Sequence, residues 1–347
     1  MRRFSVTKAL ILSMLFGGTL CLLSYPQNIA GETGCNEAHS TARSLAETGD
    51  PTQAAVRLAG IYARCPSYEN GRDLADAEIG SGQYMSAITL LQMLIEQQNR
   101  AELHSMLGKA EAAQKNYKAA AIEYQKAAEM EPNEASIFDY GMALFHLDHN
   151  SAITILRYGV QKYPQSVELH VGLGTVLYAD GKSLEGAELL CDAEELNPSD
   201  PHPMEILADT ETVPPTIASR VTSLLAGLYE KYQNDGLILF DYTMAQSGRW
   251  SNDKDAVPPH FTESLKTALH LNPQLPQAYY QLSLVSAQQR NYPEEIQFLK
   301  KAVALNPGYE EYHYRLAFAY RNSGDMTKFR EELNEFQKLH DASSNVQ

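Results

Sequence analysis

One tryptophan and four cysteines are all that 347 residues hold of those two types, and the short motifs of common enzyme chemistries are missing. There is no His-Glu-x-x-His and no Cys-x-x-Cys, which removes the usual helical zinc site and the dithiol redox pair. There is no Gly-x-Ser-x-Gly elbow, no phosphate-cradling Gly-x-x-x-x-Gly-Lys-Ser/Thr loop and no dinucleotide fingerprint. Acidic residues are plentiful but interleaved with basic ones along helical segments, so no carboxylate pair stands out as acid and base. The expectation is a chain that is not an enzyme, with no cofactor, no metal and no small-molecule substrate.

Positive charge is also scarce. Lys and Arg number 28 against 43 Asp and Glu, a formal net charge of −15. A phosphate backbone demands the opposite sign, so nucleic acid is not an expected partner. Runs of alternating Val, Ile and Thr are lacking between the helical segments, which leaves a sheet nowhere to form.

Long apolar runs are lacking too. The longest, Ala9 to Leu23, has 15 residues, short of the roughly 20 a membrane-spanning helix needs. It follows Arg2, Arg3 and Lys8 and precedes Gln27, Asn28, Ala30 and Gly31, the layout of a secretory signal peptide. Residues 1–30 are therefore expected to be a signal peptide, cleaved near Ala30, with 31–34 a short linker. The alternative is an uncleaved inner-membrane anchor formed by residues 9–23, and only then is a membrane an expected partner. Removal of the segment takes three positive charges and leaves −18. The expected location is the periplasm or cell envelope.

What the chain does have is a period. Pro or a polar substitute recurs at Pro66, Asn99, Pro132, Pro164, Pro198, Gln233, Pro273 and Pro307, at spacings of 33, 33, 32, 34, 35, 40 and 34. A period near 34 marks stacked helix-turn-helix units, because each pair has an apolar face that only its neighbours can cover. Within Ala101 to Pro132, Leu107-Gly108 is followed by Tyr117, Ala120, Tyr124 and Ala127. The order returns as Leu173-Gly174, Gly181, Leu190, Ala193, Pro198 and as Leu282-Ser283, Tyr292, Leu299, Ala302, Pro307. Phe138-Asp139-Tyr140-Gly141-Met142-Ala143 is echoed 102 residues later by Phe240-Asp241-Tyr242-Thr243-Met244-Ala245.

This pattern resembles the tetratricopeptide repeat, and the resemblance covers nearly the whole chain after residue 35. It implies an all-α, right-handed superhelical solenoid of about nine units over 35–341, ending near 66, 99, 132, 164, 198, 233, 273, 307 and 341, with a tail at 342–347. Two stretches break the period and read as enlarged turns, the proline-rich 201–215 and the insertion at 247–259. Cys35 and Cys65 fall at opposite ends of the first expected hairpin, where an antiparallel pair brings its termini together. A disulfide between them is geometrically sensible, the alternative being two separate buried thiols; Cys191 reads as a small core residue. His146 and His149 straddle a helix end with Asp148 and read as a solvated turn rather than a metal site.

In tetratricopeptide arrays the first helix of each unit lines the concave face. Transferred by register, the resemblance implies a mixed-charge face at the N-terminal end, including Glu102 and Lys109. It implies a peptide-binding groove further along at Phe138, Met142, Phe145, Tyr178, Phe240, Met244, Tyr280, Tyr314 and Phe318. Rings and methionines of this kind suit an extended or helical peptide. The implied function is a protein-protein interaction scaffold or adaptor of the cell envelope, of a bacterial exported type. The alternative is a membrane-tethered, self-associating structural element.

Overall fold

A computed structural model describes residues 50–209, 213–248, 250 and 256–344. Among them are 17 helices and no strand. The fold is all-α.

The chain divides into two compact units, the first ending at Gln83. In the first, α1 (Pro51–Arg64) and α2 (Tyr68–Gly80) form a hairpin. Asp50 caps α1 by accepting from the Gln53 amide, and Pro51 sits in the first turn, where its missing N–H costs nothing. Ser67 caps α2. The pair is antiparallel: a Cβ on Gly80, at the end of α2, would come within 3.3 Å of Pro51 at the start of α1. Ala54, Ala55, Leu58 and Ile61 of α1 and Leu74 and Ala75 of α2 are buried.

The second unit holds α3 (Tyr84–Gln97), α4 (Ala101–Ala113), α5 (Tyr117–Met130), α6 (Glu134–Phe145), α7 (His149–Lys162), α8 (Val167–Ala179), α9 (Ser183–Leu196), α10 (His202–Asp209), α11 (Ala218–Lys231), α12 (Gly236–Gln246), α13 (Phe261–Leu271), α14 (Pro276–Gln288), α15 (Tyr292–Leu305), α16 (Glu310–Ser323) and α17 (Met326–Ser344). From α4 onward they pair as successive hairpins, each packed on the next. The core accordingly runs as overlapping local clusters, from Ala120, Tyr124 and Ala143 through Leu156, Leu169 and Leu173 to Leu299, Leu316 and Tyr320. This is a solenoid, built from nearest-neighbour burial.

The small residues of the repeat explain how closely the pairs sit. A Cβ on Gly108 of α4 would lie 2.9 Å from the Tyr124 ring on α5, and one on Gly174 of α8 would lie 3.0 Å from the Gly186 carbonyl on α9. Two helical backbones touch there because neither carries a side chain in the way. A second device ties the end of a hairpin back to its start. Lys162 Nζ and Tyr163 Oη both donate to the Pro132 carbonyl, at 2.8 and 3.0 Å. Lys231 and Tyr232 repeat this on Ser199, the tyrosine hydroxyl lying 2.7 Å from its carbonyl.

Two boundaries differ from the sequence expectation. Residues 201–215 were expected as a turn, yet His202–Asp209 is helical, with Met204 and Leu207 buried. Pro201 and Pro203 stand at its start, where a proline is tolerated in a first turn, so they open the helix rather than prevent it. The tail expected from 342 is helical as far as Ser344. The expected signal peptide, the 31–34 linker and Cys35 lie outside the described residues.

Candidate functional site

The first helices of successive hairpins lie side by side, and α4, α6 and α8 make one face of the second unit. Phe138 and Met142 project from α6 onto α8, where a Cβ on Gly172 would meet the Phe138 ring at 2.9 Å and the Met142 sulfur at 3.4 Å. Glycine at 172 thus lets both side chains lie flat along the neighbouring helix. On the other side, Ser105 Oγ of α4 donates to Asp139 Oδ2 of α6 at 3.4 Å. Phe145, one turn beyond Met142, meets the His149 ring at 5.0 Å between centroids. Tyr178 leans on Gly186 of α9. All four apolar candidates here, Phe138, Met142, Phe145 and Tyr178, are half-buried.

Toward the C-terminus the face is aromatic and polar together. Tyr280 is half-buried, its ring 5.2 Å from Tyr312, and its hydroxyl donates to Glu311 Oε1 at 3.2 Å. Arg315 Nε donates to the same oxygen at 2.9 Å. Burial pushes the Tyr280 hydroxyl up to about 12, Arg315 opposing the rise. Tyr314 is exposed, 4.6 Å from Phe318 and 5.3 Å from Phe336. The Arg321 guanidinium lies 4.2 Å over the half-buried Phe318 ring, a cation-π distance.

Phe240 and Met244 are a correction to the sequence reading. They are 8% and 7% exposed and belong to a core cluster with Trp250, Phe261 and Leu265. The segment after α12 brings Trp250 into that cluster, its ring 5.5 Å from Phe261, so these two side chains serve packing, not an open face.

Residues 72–135 and 263–310 match the family model described as tetratricopeptide repeat. Over these two stretches the chain is similar to the tetratricopeptide repeat. No curated protein matches it. Among solved structures, the C-terminal part of a TPR repeat-containing protein from Cytophaga hutchinsonii is similar over 71% of this chain and 99% of its own, with 14% identity and a TM-score of 0.52. That likeness shows the fold. MamA MSR-1 matches at 22% identity over 48% of this chain and 97% of its own, TM-score 0.41. YrrB, described as a TPR protein with an unusual peptide-binding site, matches at 14% over 50% and 96%, TM-score 0.41.

Within the repeats, other polar groups are placed with care. His104, the fourth residue of α4, puts Nδ1 against Glu123 of α5 and Nε2 2.6 Å from Asn99 Oδ1. His313, the fourth residue of α16, repeats this with Glu332 of α17 at 2.8 Å and the Pro307 carbonyl at 3.1 Å. Sequence reasoning missed both pairs; the signal available was a His and a Glu 19 residues apart in two repeats. Glu194 on α9 and Glu295 on α15 are buried, and each leaves Oε2 without a hydrogen bond. Burial pushes both carboxyls up to about 7, helped at Glu194 by Asp200 and opposed by Lys231, and opposed at Glu295 by Arg315.

The remaining chemistry is dispersed. His146 stacks on Tyr117 with ring centroids 3.8 Å apart, Asp148 caps α7, and His149 Nδ1 lies 3.7 Å from Asp180, so the three do not converge. Among the described residues no group of three or more His, Cys, Asp or Glu side chains is placed to hold a metal. Cys191 is a buried free thiol, pushed up to about 11 by burial. Cys65 is disulfide-bonded.

Proposed function

We propose that this protein is an exported, non-catalytic scaffold that holds a peptide or helix of a partner protein on the face formed by its first helices. The observation that carries this reading is the row of half-buried apolar side chains at Phe138, Met142, Phe145 and Tyr178. Repeats bury their apolar residues against neighbours on two sides, and this row stays partly open although two helices contribute to it. A partner segment laid along it gains contact area from rings that lose little entropy on binding.

The bonded state of Cys65 supports export, since structural disulfides persist in oxidising compartments. A chain cleaved near Ala30 keeps Cys35 and loses Cys21, which makes Cys35 the partner in this reading. N-terminal sequencing of the native protein is expected to begin near Gly31. A start at Met1, with partition into membranes, would favour the tethered alternative.

The direct test is a photoreactive residue at position 145 or 178, introduced singly in the native host. Both positions are expected to crosslink the same segment of one partner protein, while a probe at the exposed Arg330 of α17 captures none of it. Equal capture from all three positions, or capture only of the protein itself, would overturn the adaptor reading.

A further inference from the structure

The face of α4, α6 and α8 also carries an unbalanced charge. These three helices hold five carboxylates, Glu102, Glu111, Glu134, Asp139 and Glu168, and a single basic side chain, Lys109. Glu111 is engaged with Asn116, and Glu134 accepts from Ser166. Asp139 and Glu168 are different. Asp139 is half-buried beside Phe138, its one hydrogen bond is the long 3.4 Å contact from Ser105, and it makes no ion pair. Glu168, on the adjacent helix, is exposed and close enough to raise the Asp139 pKa; Lys109 pulls it down, but the leading cause of its rise is burial. Two neighbouring acids, neither of them in a direct ion pair and with Lys109 the one cation that acts on Asp139, thus border the apolar row.

Resting on the reading that this face binds protein, we propose that the bound segment is cationic as well as apolar: an amphipathic stretch whose lysine or arginine is received between Asp139 and Glu168 while its apolar residues lie on Phe138, Met142, Phe145 and Tyr178. A carboxylate drawn part-way out of water and set beside a like charge is stabilised most by an incoming ammonium or guanidinium. An acidic segment would place like charges together at a desolvated contact, which disfavours binding. The charge of the chain as a whole, −15, works in the same direction by drawing a positive partner in. Nucleic acid is repelled by the same field.

The test uses the full chain and three synthetic sixteen-residue amphipathic peptides of equal apolar content, with Lys, Gln or Glu at every polar position. Titration calorimetry at two salt concentrations is expected to show the Lys peptide binding about tenfold tighter than the Gln peptide, roughly 1.4 kcal/mol, with an affinity that falls as salt rises. The Glu peptide is expected not to bind. The variant D139N/E168Q, close in shape to the original, is expected to bring the Lys peptide down to the Gln peptide's affinity and leave the latter unchanged. The variant E331Q/E335Q on α17 removes the same charge away from the face and is expected to change nothing. Equal binding of the Lys and Gln peptides would overturn the inference while leaving the protein-binding face standing. An equal loss from both double variants would overturn it as well, by reducing the effect to overall charge. If no peptide binds, the inference and the reading beneath it fall together.

Discussion

Glu194 and Glu295 are kept out of water at positions where the fold asks for something small or apolar. Ala87, Ala120, Ala152 and Gly186 are the fourth residues of α3, α5, α7 and α9, and Glu295 is the fourth residue of α15. Burial raises both carboxyls above their unfolded value, so the folded chain holds these protons more tightly than the unfolded chain. Their stabilising contribution is fully present below the unfolded pKa of about 4.5 and is lost as pH rises through about 7. Thermal denaturation of E194Q/E295Q is therefore expected to show a smaller loss of stability between pH 5 and pH 8 than the parent chain. Identical pH profiles would contradict the burial assigned to them. Residue scale also separates core from face: Phe240→Ala removes a ring from a closed cluster and is expected to cost about 3 kcal/mol or more, whereas Tyr314→Ala, already exposed, is expected to cost under about 1 kcal/mol. Chemical denaturation of the two variants reads the difference. Register could not have told these two aromatics apart, because the residue that closes over Phe240 is Trp250, from an insertion outside the repeat.

At the scale of the element, the turns between paired helices share one geometry that only some of the sequence suits. Gly181 and Gly324 hold φ of +78° and +89°, and in the equivalent turns Lys115 and Arg290 hold +61° and +57°. An L side chain pays about 1 kcal/mol for that region and glycine does not. Lys115→Gly and Arg290→Gly are each expected to raise stability by roughly 0.5–1 kcal/mol, and a fall in melting temperature for both would show that their side chains do more than occupy the turn. Such turns were legible in the sequence wherever glycine stood, and so were the close approaches at Gly108 and Gly174, because both depend on what a backbone can do. The Lys-Tyr ties at 162–163 and 231–232 were not legible. Each depends on a carbonyl 31 or 33 residues earlier in the chain, and a carbonyl leaves no mark on residue type. Removing one by Tyr163→Phe is expected to cost about 1 kcal/mol in the same denaturation assay.

At the scale of the molecule, stability in an array of pairs is a sum of local terms, so unfolding is not a single event. The helix α17 has 19 residues and none of them is buried. In native-state hydrogen exchange its amides are expected to lose protection well before those of α8, where seven of 13 residues are buried; comparable protection would mean that α17 is covered in solution. The periodic spacing of prolines announced the solenoid from the sequence alone, whereas α10 was hidden by its prolines, which read as punctuation. That helix is eight residues long in a row of first helices that otherwise run from 11 to 14. A short rung gives its neighbours less surface to pack against. On the binding reading proposed above, a partner reaching from the α4–α8 face to the aromatic end near Tyr314 would have to bridge this short step between its two contact points.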